Sequence, residues 1–142
     1  MGAHPLFEVA LKAFLVRDGK LLMVRERDGQ ALWELPGGRI GAGEEERSAA
    51  DVLAREVAEE LGPGLRYELE GPVVSWSRTP AGTARTHWAF LVGYLCRYVD
   101  GDISLSEEHS EHAWVDRESW RTLRPLAPGF DHALTEFWRR RG

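Results

Sequence analysis

The chain has 142 residues, of which 43% are hydrophobic and 29% charged, an ordinary balance for one globular domain. We therefore expect a single domain over residues 1–142. The formal charge of −5 argues against broad binding to nucleic acids or anionic membranes, which favour basic surfaces. The N-terminus lacks the apolar core of a signal peptide, and no window holds the roughly 18 apolar residues of a membrane span. A cytoplasmic protein is expected.

The N-terminal part of the chain has the pattern of short strands. Apolar residues alternate over 7–15, which predicts a half-buried strand. An Asp-Gly turn at 18–19 then leads into a return strand over 20–25. Residues 33–35 predict another short extended piece, which the Pro-Gly-Gly run at 36–38 is expected to halt.

A helix is predicted after a glycine-rich, acidic loop over residues 38–47. Ser48 has the character of an N-cap, with Asp51 three residues later in a weak capping-box arrangement. The helix should run to about Leu61, because Gly62 is a typical C-terminal residue and a proline follows it.

The second half of the chain predicts more strands and a final helix. Residues 67–78 and 85–98 are strand-rich, 113–115 form a short strand candidate, and 117–123 a short helix. An amphipathic C-terminal helix would bury five residues at helical spacing: Phe130, Ala133, Leu134, Phe137 and Trp138. Strands on both sides of a central helix predict an α/β (α+β) sandwich.

The central helix divides into an apolar face and an acidic face at about 100° per residue. Five residues fall within an arc of roughly 140°, namely Leu53, Ala54, Val57, Ala58 and Leu61. Glu56, Glu59 and Glu60 fall on the opposite side, with Arg55 beside them. A solvated acidic face is the simple interpretation. The alternative is a divalent-cation site, because carboxylates three and four residues apart can converge on one hard cation.

The sequence REVAEELG, from Arg55 to Gly62, follows LPGG and closely resembles the Nudix box. This resemblance implies a Nudix-like α/β/α sandwich with a mixed β-sheet. One departure is that ten residues separate Glu44 from Arg55, where the family pattern has seven. The simplest explanation is a three-residue insertion in the loop before Ser48. Glu44 or Glu46 would then supply the first box carboxylate, and Glu44 is favoured.

The resemblance also implies roles for individual residues. Glu56, Glu59 and Glu60 would bind Mg²⁺, or Mn²⁺ in its place, and the Gly37 carbonyl would add a ligand. Arg55 would orient the carboxylates by ion pairing.

A carboxylate base would deprotonate the attacking water. Glu56, within the box, and Glu108, in a later acidic loop, are both candidates for this base. Arg25, Gly38 and Glu44 are assigned to substrate binding; for Arg25 the reason is that guanidinium groups suit phosphate oxygens.

Aromatic and histidine side chains are assigned to structure. Trp33, Trp76 and Trp88 are expected in the core, because aromatic residues usually stabilise a fold by burial. His87 is also expected to be structural. The spacing of His109 and His112, without a cysteine nearby, is too weak to indicate a zinc site.

The predicted function is Mg²⁺-dependent hydrolysis of a diphosphate linkage in a nucleotide-like small molecule, with a nucleoside di- or triphosphate preferred. The protein would be a monomer or a homodimer. One alternative is a non-catalytic Nudix-like domain that binds a nucleotide and regulates another protein. Another is isomerisation of an allylic diphosphate, which would need a cysteine in the site. The single cysteine, Cys96, lies in an apolar run and is expected to be buried and inert.

Overall fold

A computed structural model describes residues 2–142. Two helices pack on a sheet of seven strands in this part of the chain. In chain order the elements are β1 (Phe7–Arg17), β2 (Lys20–Glu26), β3 (Trp33–Glu34), β4 (Gly37–Arg39), α1 (Ala49–Leu61), β5 (Arg66–Arg78), β6 (Trp88–Asp100), β7 (His109–Val115), a 3₁₀ turn (Ser119–Thr122) and α2 (Phe130–Arg140).

The sheet is mixed and splits along one edge of β1. Its main strand order is β3-β2-β1-β6-β5, with β1 and β6 parallel and the other pairs antiparallel. On one edge, β2 pairs with β1 through only two residue pairs beside the turn and then with β3, while its other edge pairs with β7. The other half of β1 pairs with β4. The sheet therefore splits between the β1–β4 pair and the β2–β3 pair, and the predicted mixed α/β sandwich is confirmed.

The predicted strand at 7–15 exists, but it is not half-buried. Every residue from Ala10 to Val16 is buried, because β1 lies at the centre of the sheet. Ala10 and Phe14 pack in the cluster that contains α2, whereas Leu11 and Leu15 pack in the cluster that contains α1. The two helices therefore cover opposite faces of the sheet.

Helix α1 begins and ends where the sequence predicts. Ser48 is the N-cap, and its Oγ accepts a hydrogen bond from the Asp51 amide at 3.1 Å. Gly62 ends the helix with a φ of 90°, which a residue without a side chain adopts without strain. Its amide still donates to the Ala58 carbonyl.

The predicted faces of α1 are partly wrong. Ala54 and Ala58 are exposed, and Glu60 is buried at 6% exposure beside Leu53 and Val57. The buried face of the helix, which also includes Val52, is centred about 70° from the predicted one at 100° per residue. The three box glutamates therefore have different environments.

Strand β3 ends before Pro36 as expected, but the glycine pair that follows begins a new strand. Gly37–Arg39 forms strand β4, with Gly37 opposite Lys12 and Gly38 opposite Leu11. A Cβ on Gly37 would lie 2.1 Å from the Leu11 carbonyl oxygen, so only glycine allows this close pairing.

The C-terminal part agrees with the sequence except at one tryptophan. All five predicted apolar residues of α2 are buried, and the short helix predicted at 117–123 is the 3₁₀ turn. Trp33 and Trp76 are buried, but Trp88 is 47% exposed at the start of β6, where it contacts Phe7. Neither helix in residues 2–142 is long and apolar enough to cross a membrane.

Candidate active site

A cavity of about 320 Å³ opens at the split in the sheet, between β1, β4, α1 and the β5–β6 loop. Its lining is unusually rich in charge. Carboxylates come from five residues: Glu26, Glu34, Glu56, Glu60 and Glu108. Cationic groups come from four residues: Lys12, Arg39, Arg78 and Arg85. A cavity with both charges suits a polyanionic ligand that a divalent cation accompanies.

Two of the box glutamates reach this cavity through contacts with the glycine pair. Glu60 Oε1 accepts a hydrogen bond from the Gly37 amide at 3.0 Å. The Glu56 carboxylate lies directly over Gly38, where an added Cβ would come within 2.6 Å of it. Glycines at both positions thus let strand β4 approach the carboxylates of α1 closely.

Arg55 holds a group of carboxylates together beside the cavity. Its guanidinium lies 3.0 Å from Glu56 Oε1, 3.2 Å from Glu59 Oε2, and 2.6 and 2.7 Å from the two oxygens of Glu44. The hydrogen bond to Arg55 lowers the pKa of Glu44, and the Gly41 amide stabilises the same carboxylate. The loop over residues 38–47 is thereby tied to α1.

Four of the predicted site residues lie outside the cavity lining, namely Arg55, which holds the carboxylates beside it, and three others. Glu44 faces Arg55, and the Glu59 side chain is 60% exposed while it pairs with Arg55. Arg25 donates to the Ala31 carbonyl at 3.1 Å and lies over the Trp33 ring. A catalytic or binding role for these three residues needs a different rotamer or a ligand that extends beyond the cavity, and stays a prediction.

Burial changes the ionisation of the two inward-facing glutamates. Burial raises the pKa of Glu60 to about 7, although the positive charge of Lys12 opposes the shift. Burial also raises the pKa of Glu56, and Arg55 opposes it. A nearby cation would favour the charged form of both carboxylates.

A buried polar network beneath the cavity was missed by the sequence reasoning. Lys12 on β1 is only 6% exposed; its ammonium lies 3.2 Å from Glu34 Oε1 and donates to the Leu35 and Gly37 carbonyls. Glu34 Oε2 lies 3.2 Å from His109 Nε2. The lysine inside the apolar run of β1 was the available signal, because an unpaired lysine is almost never fully buried.

The loop before β7 places Glu108 at the cavity. Arg27, which the sequence places beside Arg25 after the first hairpin, braces this loop. Its Nε donates to the Glu107 carbonyl at 2.9 Å, and its amide donates to the Glu108 carbonyl at 2.9 Å. His87, expected to be structural, is exposed and also lines the cavity.

The donor set fits Mg²⁺ only in part. Within residues 2–142, no three His, Cys, Asp or Glu side chains are arranged to hold a metal ion together. Glu56, Glu60 and Gly37 do line the same cavity, and their carboxylate and carbonyl oxygens are the hard donors that Mg²⁺ prefers, although the Gly37 carbonyl accepts a hydrogen bond from Lys12. Magnesium is commonly held by one or two carboxylates, with water and substrate phosphates as the other ligands, and this smaller set meets that need.

Comparison with known proteins identifies relatives of this chain. An RNA pyrophosphohydrolase from Photorhabdus laumondii is 30% identical over 123 residues, which cover 78% of this chain and 68% of that protein. A nucleoside triphosphatase NudI from Enterobacter sp. is 33% identical over 99 residues, covering 64% of this chain and 66% of that protein. These relatives confirm the prediction of a Nudix-type pyrophosphohydrolase.

Solved structures agree on the fold. A MutT NUDIX hydrolase from Burkholderia pseudomallei has a TM-score of 0.74 at 22% identity, over 92% of this chain and 98% of that one. A model of the NUDIX domain matches residues 7–137, nearly the whole chain. Glu56 and Glu60 of the REVAEELG helix meet the glycine pair at the cavity, within the matched residues. This chain therefore belongs to the Nudix hydrolase family.

Proposed function

We propose that this protein hydrolyses a diphosphate linkage in a nucleoside diphosphate derivative, with Mg²⁺ as its cofactor and Mn²⁺ as a substitute. The observation that carries the proposal is that Glu56, Glu60 and Gly37 line one cavity, whose lining also includes arginines. The relatives support the same chemistry, since their names include a pyrophosphohydrolase and a nucleoside triphosphatase.

The residues of this chain divide the work of such a reaction. Glu56, Glu60 and the Gly37 carbonyl would hold the cation, and Glu59 would join them after a change of rotamer. When bound, the cation neutralises the diphosphate and stabilises charge on the leaving phosphate. Arg55 keeps Glu56 in place. Gly38 leaves the space in which the Glu56 carboxylate lies.

Glu56 and Glu108 both line the cavity, so either can accept the proton of the attacking water. Glu56 is held over Gly38 by its ion pair with Arg55, which suits a cation ligand kept in one position. Glu108 lies on a loop that Arg27 braces. We therefore favour Glu108 as the base and assign Glu56 to the cation.

We keep the preference for a small nucleotide substrate, a cytoplasmic location and a monomer or homodimer as proposals. The RNA pyrophosphohydrolase among the relatives makes an RNA 5′ end a substrate to include in tests. Isomerisation of an allylic diphosphate finds no support, because Cys96 is fully buried on β6 and burial raises the pKa of its thiol to about 12.

The first experiment compares Glu60→Gln with Glu59→Gln. Both changes remove one negative charge from α1, but Glu60 lies in the cavity and Glu59 does not. We expect Glu60→Gln to lower kcat by about 100-fold or more, and Glu59→Gln to lower it by about tenfold at most. Phosphate and pyrophosphate release would be measured over a panel of nucleotides with MgCl₂, and circular dichroism would check folding.

Equal losses in the two variants would show that Glu59 contributes as much to turnover as Glu60 does. If the wild-type protein binds nucleotides tightly but releases no product from any of them, the proposal fails. The non-catalytic regulatory domain would then be the better interpretation.

A further inference from the structure

One wall of the cavity carries an excess of positive charge. It is formed by Arg39 at the end of β4, Arg78 at the end of β5, and Arg85 in the β5–β6 loop. Arg39 Nε lies 2.9 Å from Glu8 Oε1, and Arg85 Nη1 lies 3.6 Å from the same oxygen. Arg78 forms no ion pair within 4.0 Å in residues 2–142. Two guanidinium groups therefore share one carboxylate, and the third has no carboxylate within ion-pair distance in the described part of the chain.

These cations are close enough to repel one another. Burial lowers the pKa of Arg39, and the neighbouring charge of Arg85 lowers it further, while Glu8 opposes both effects. Arg78 adds to the same repulsion. Like charges in a partly buried position are unfavourable unless an anion compensates them.

Other arginines of the same strands are compensated in full. At the opposite end of β5, Arg66 pairs with Asp100 at 3.3 Å. In β6, Arg97 pairs with both Glu68 and Glu70. The sheet thus provides an ion-pair partner for Arg66 and for Arg97, whereas Arg39 and Arg85 share Glu8, and Arg78 has, among the described residues, only the longer-range charge of Glu26. This contrast argues against the simple interpretation of a solvated surface, particularly in a chain whose net charge is −5.

We propose that Arg39, Arg78 and Arg85 bind phosphate groups beyond the linkage that is cut, so that the preferred substrates are nucleoside 5′-triphosphates. The inference rests on the proposed hydrolysis, which places the cleaved diphosphate at the glutamates with its cation. A third phosphate then meets the guanidinium groups, which can bind it through paired N–H donors. A sugar at that position, as in a nucleotide sugar, would leave the guanidinium charges uncompensated.

The test compares triphosphates, diphosphates and ADP-ribose in the wild-type protein and in Arg78→Gln. Adenine, guanine, cytosine and uracil nucleotides would all be used, so that base preference does not hide the effect. We expect the triphosphate of the preferred base to have the highest kcat/KM. Arg78→Gln should raise its KM by about 10- to 100-fold, with a much smaller effect on kcat. ADP-ribose should be affected by less than about threefold.

Two matched variants control for charge and for folding. Arg66→Gln removes an arginine from the other end of the same strand, and we expect unchanged kinetics with every substrate. Arg78→Lys keeps the charge but loses the paired donors, so it should recover only part of the lost affinity. If Arg78→Gln folds poorly, Arg85→Gln provides the same test at a side chain that is already half exposed.

Binding without turnover separates this proposal from the proposed hydrolysis. Calorimetric titration of nucleoside tri-, di- and monophosphates, with Ca²⁺ replacing Mg²⁺, would measure the affinity that each further phosphate adds. If triphosphates bind more tightly than diphosphates to the wild type but not to Arg78→Gln, the phosphate subsite is supported, even if no substrate is hydrolysed. Hydrolysis in which triphosphates bind no better than diphosphates, or in which Arg78→Gln changes nothing, would overturn the subsite and leave the hydrolase intact.

Discussion

Two adjacent glycines in β4 are required for different reasons. Gly37 has a φ of 134°, and a Cβ there would lie 2.1 Å from the Leu11 carbonyl oxygen. Its constraint is the backbone of the neighbouring strand. For a Cβ at Gly38 the nearest atoms would instead be those of the Glu56 carboxylate, at 2.6 Å. Gly37 is therefore needed for strand pairing, and Gly38 is needed for the position of the Glu56 carboxylate.

This difference predicts opposite outcomes for two alanine substitutions. Gly38→Ala should displace the flexible Glu56 carboxylate, lowering kcat by about 100-fold while costing about 1 kcal/mol of stability. Gly37→Ala should instead cost about 3 kcal/mol or more, because neither the backbone φ nor the carbonyl of β1 can adjust cheaply. Urea unfolding and steady-state kinetics on both proteins would check this. A Gly38→Ala enzyme with wild-type kcat would remove Glu56 from the mechanism.

The three box glutamates show how much one side chain's role depends on its angle around the helix. Glu60 is buried over Gly37, Glu56 lies over Gly38 beside Arg55, and Glu59 is exposed. The sequence places all three together in one acidic group. Their separation follows from the rotation of α1 against the sheet, which apolar packing of Leu53 and Val57 sets.

In helix α1, the residue that caps the helix and the glutamates of the site lie at opposite ends. Ser48 caps the first turn, whereas the site glutamates lie in the last two turns. The loop before it is fixed separately, through the contact between Glu44 and Arg55. Changes at the N-terminus of α1 should therefore affect folding without affecting catalysis.

Ser48→Ala tests this separation. Removing the cap leaves the Asp51 amide without its acceptor, and we expect a loss of about 1 kcal/mol in the free energy of unfolding. The urea midpoint should fall with an unchanged m-value, and kcat under Mg²⁺ should stay within about twofold of wild type. Ser48→Asp, which retains a cap, is the control. A large fall in kcat for Ser48→Ala would show that the two ends of α1 are coupled.

At the scale of the whole molecule, one buried network connects strands that are far apart in the chain. Lys12 on β1 pairs with Glu34 on β3, which in turn contacts His109 at the start of β7. Burial by itself would raise the pKa of Glu34, but Lys12 and then His109 overcome this effect and lower the pKa to about 2. The ionised Glu34 thus stabilises the contact between β1, β3 and β7 at the cavity wall.

The lowered pKa predicts how stability depends on pH. Glu34 favours the folded state above its ordinary pKa, and this contribution disappears as the pH falls from about 4.5 toward 2. Glu34→Gln leaves the Lys12 charge without its partner, so we expect a loss of about 3 kcal/mol at pH 7. The difference in the free energy of unfolding between Glu34→Gln and the wild type should be smaller at pH 4 than at pH 7, and smaller again at pH 2.5. Urea unfolding of metal-free protein at the three pH values would measure it, and a constant difference would contradict the assignment.

Local sequence patterns are enough to predict the family, the fold class and the limits of α1. These properties depend on local spacing: the pattern of REVAEELG after LPGG, the cap at Ser48, and the glycine at 62. The C-terminal helix was predictable for the same reason, because its apolar residues repeat every three or four positions. The three-residue insertion before Ser48 stays a prediction from the resemblance.

Local patterns do not predict which charged side chains meet at the cavity, because these contacts form only in the folded sheet. Lys12 and Glu34 are separated by 22 residues, and Glu34 and His109 by 75, so no local pattern connects them. The same holds for Arg39, Arg78 and Arg85, which three separate segments bring to one wall. Such contacts arise from strand register and from the split between β1 and β2, which depend on packing across the whole sheet.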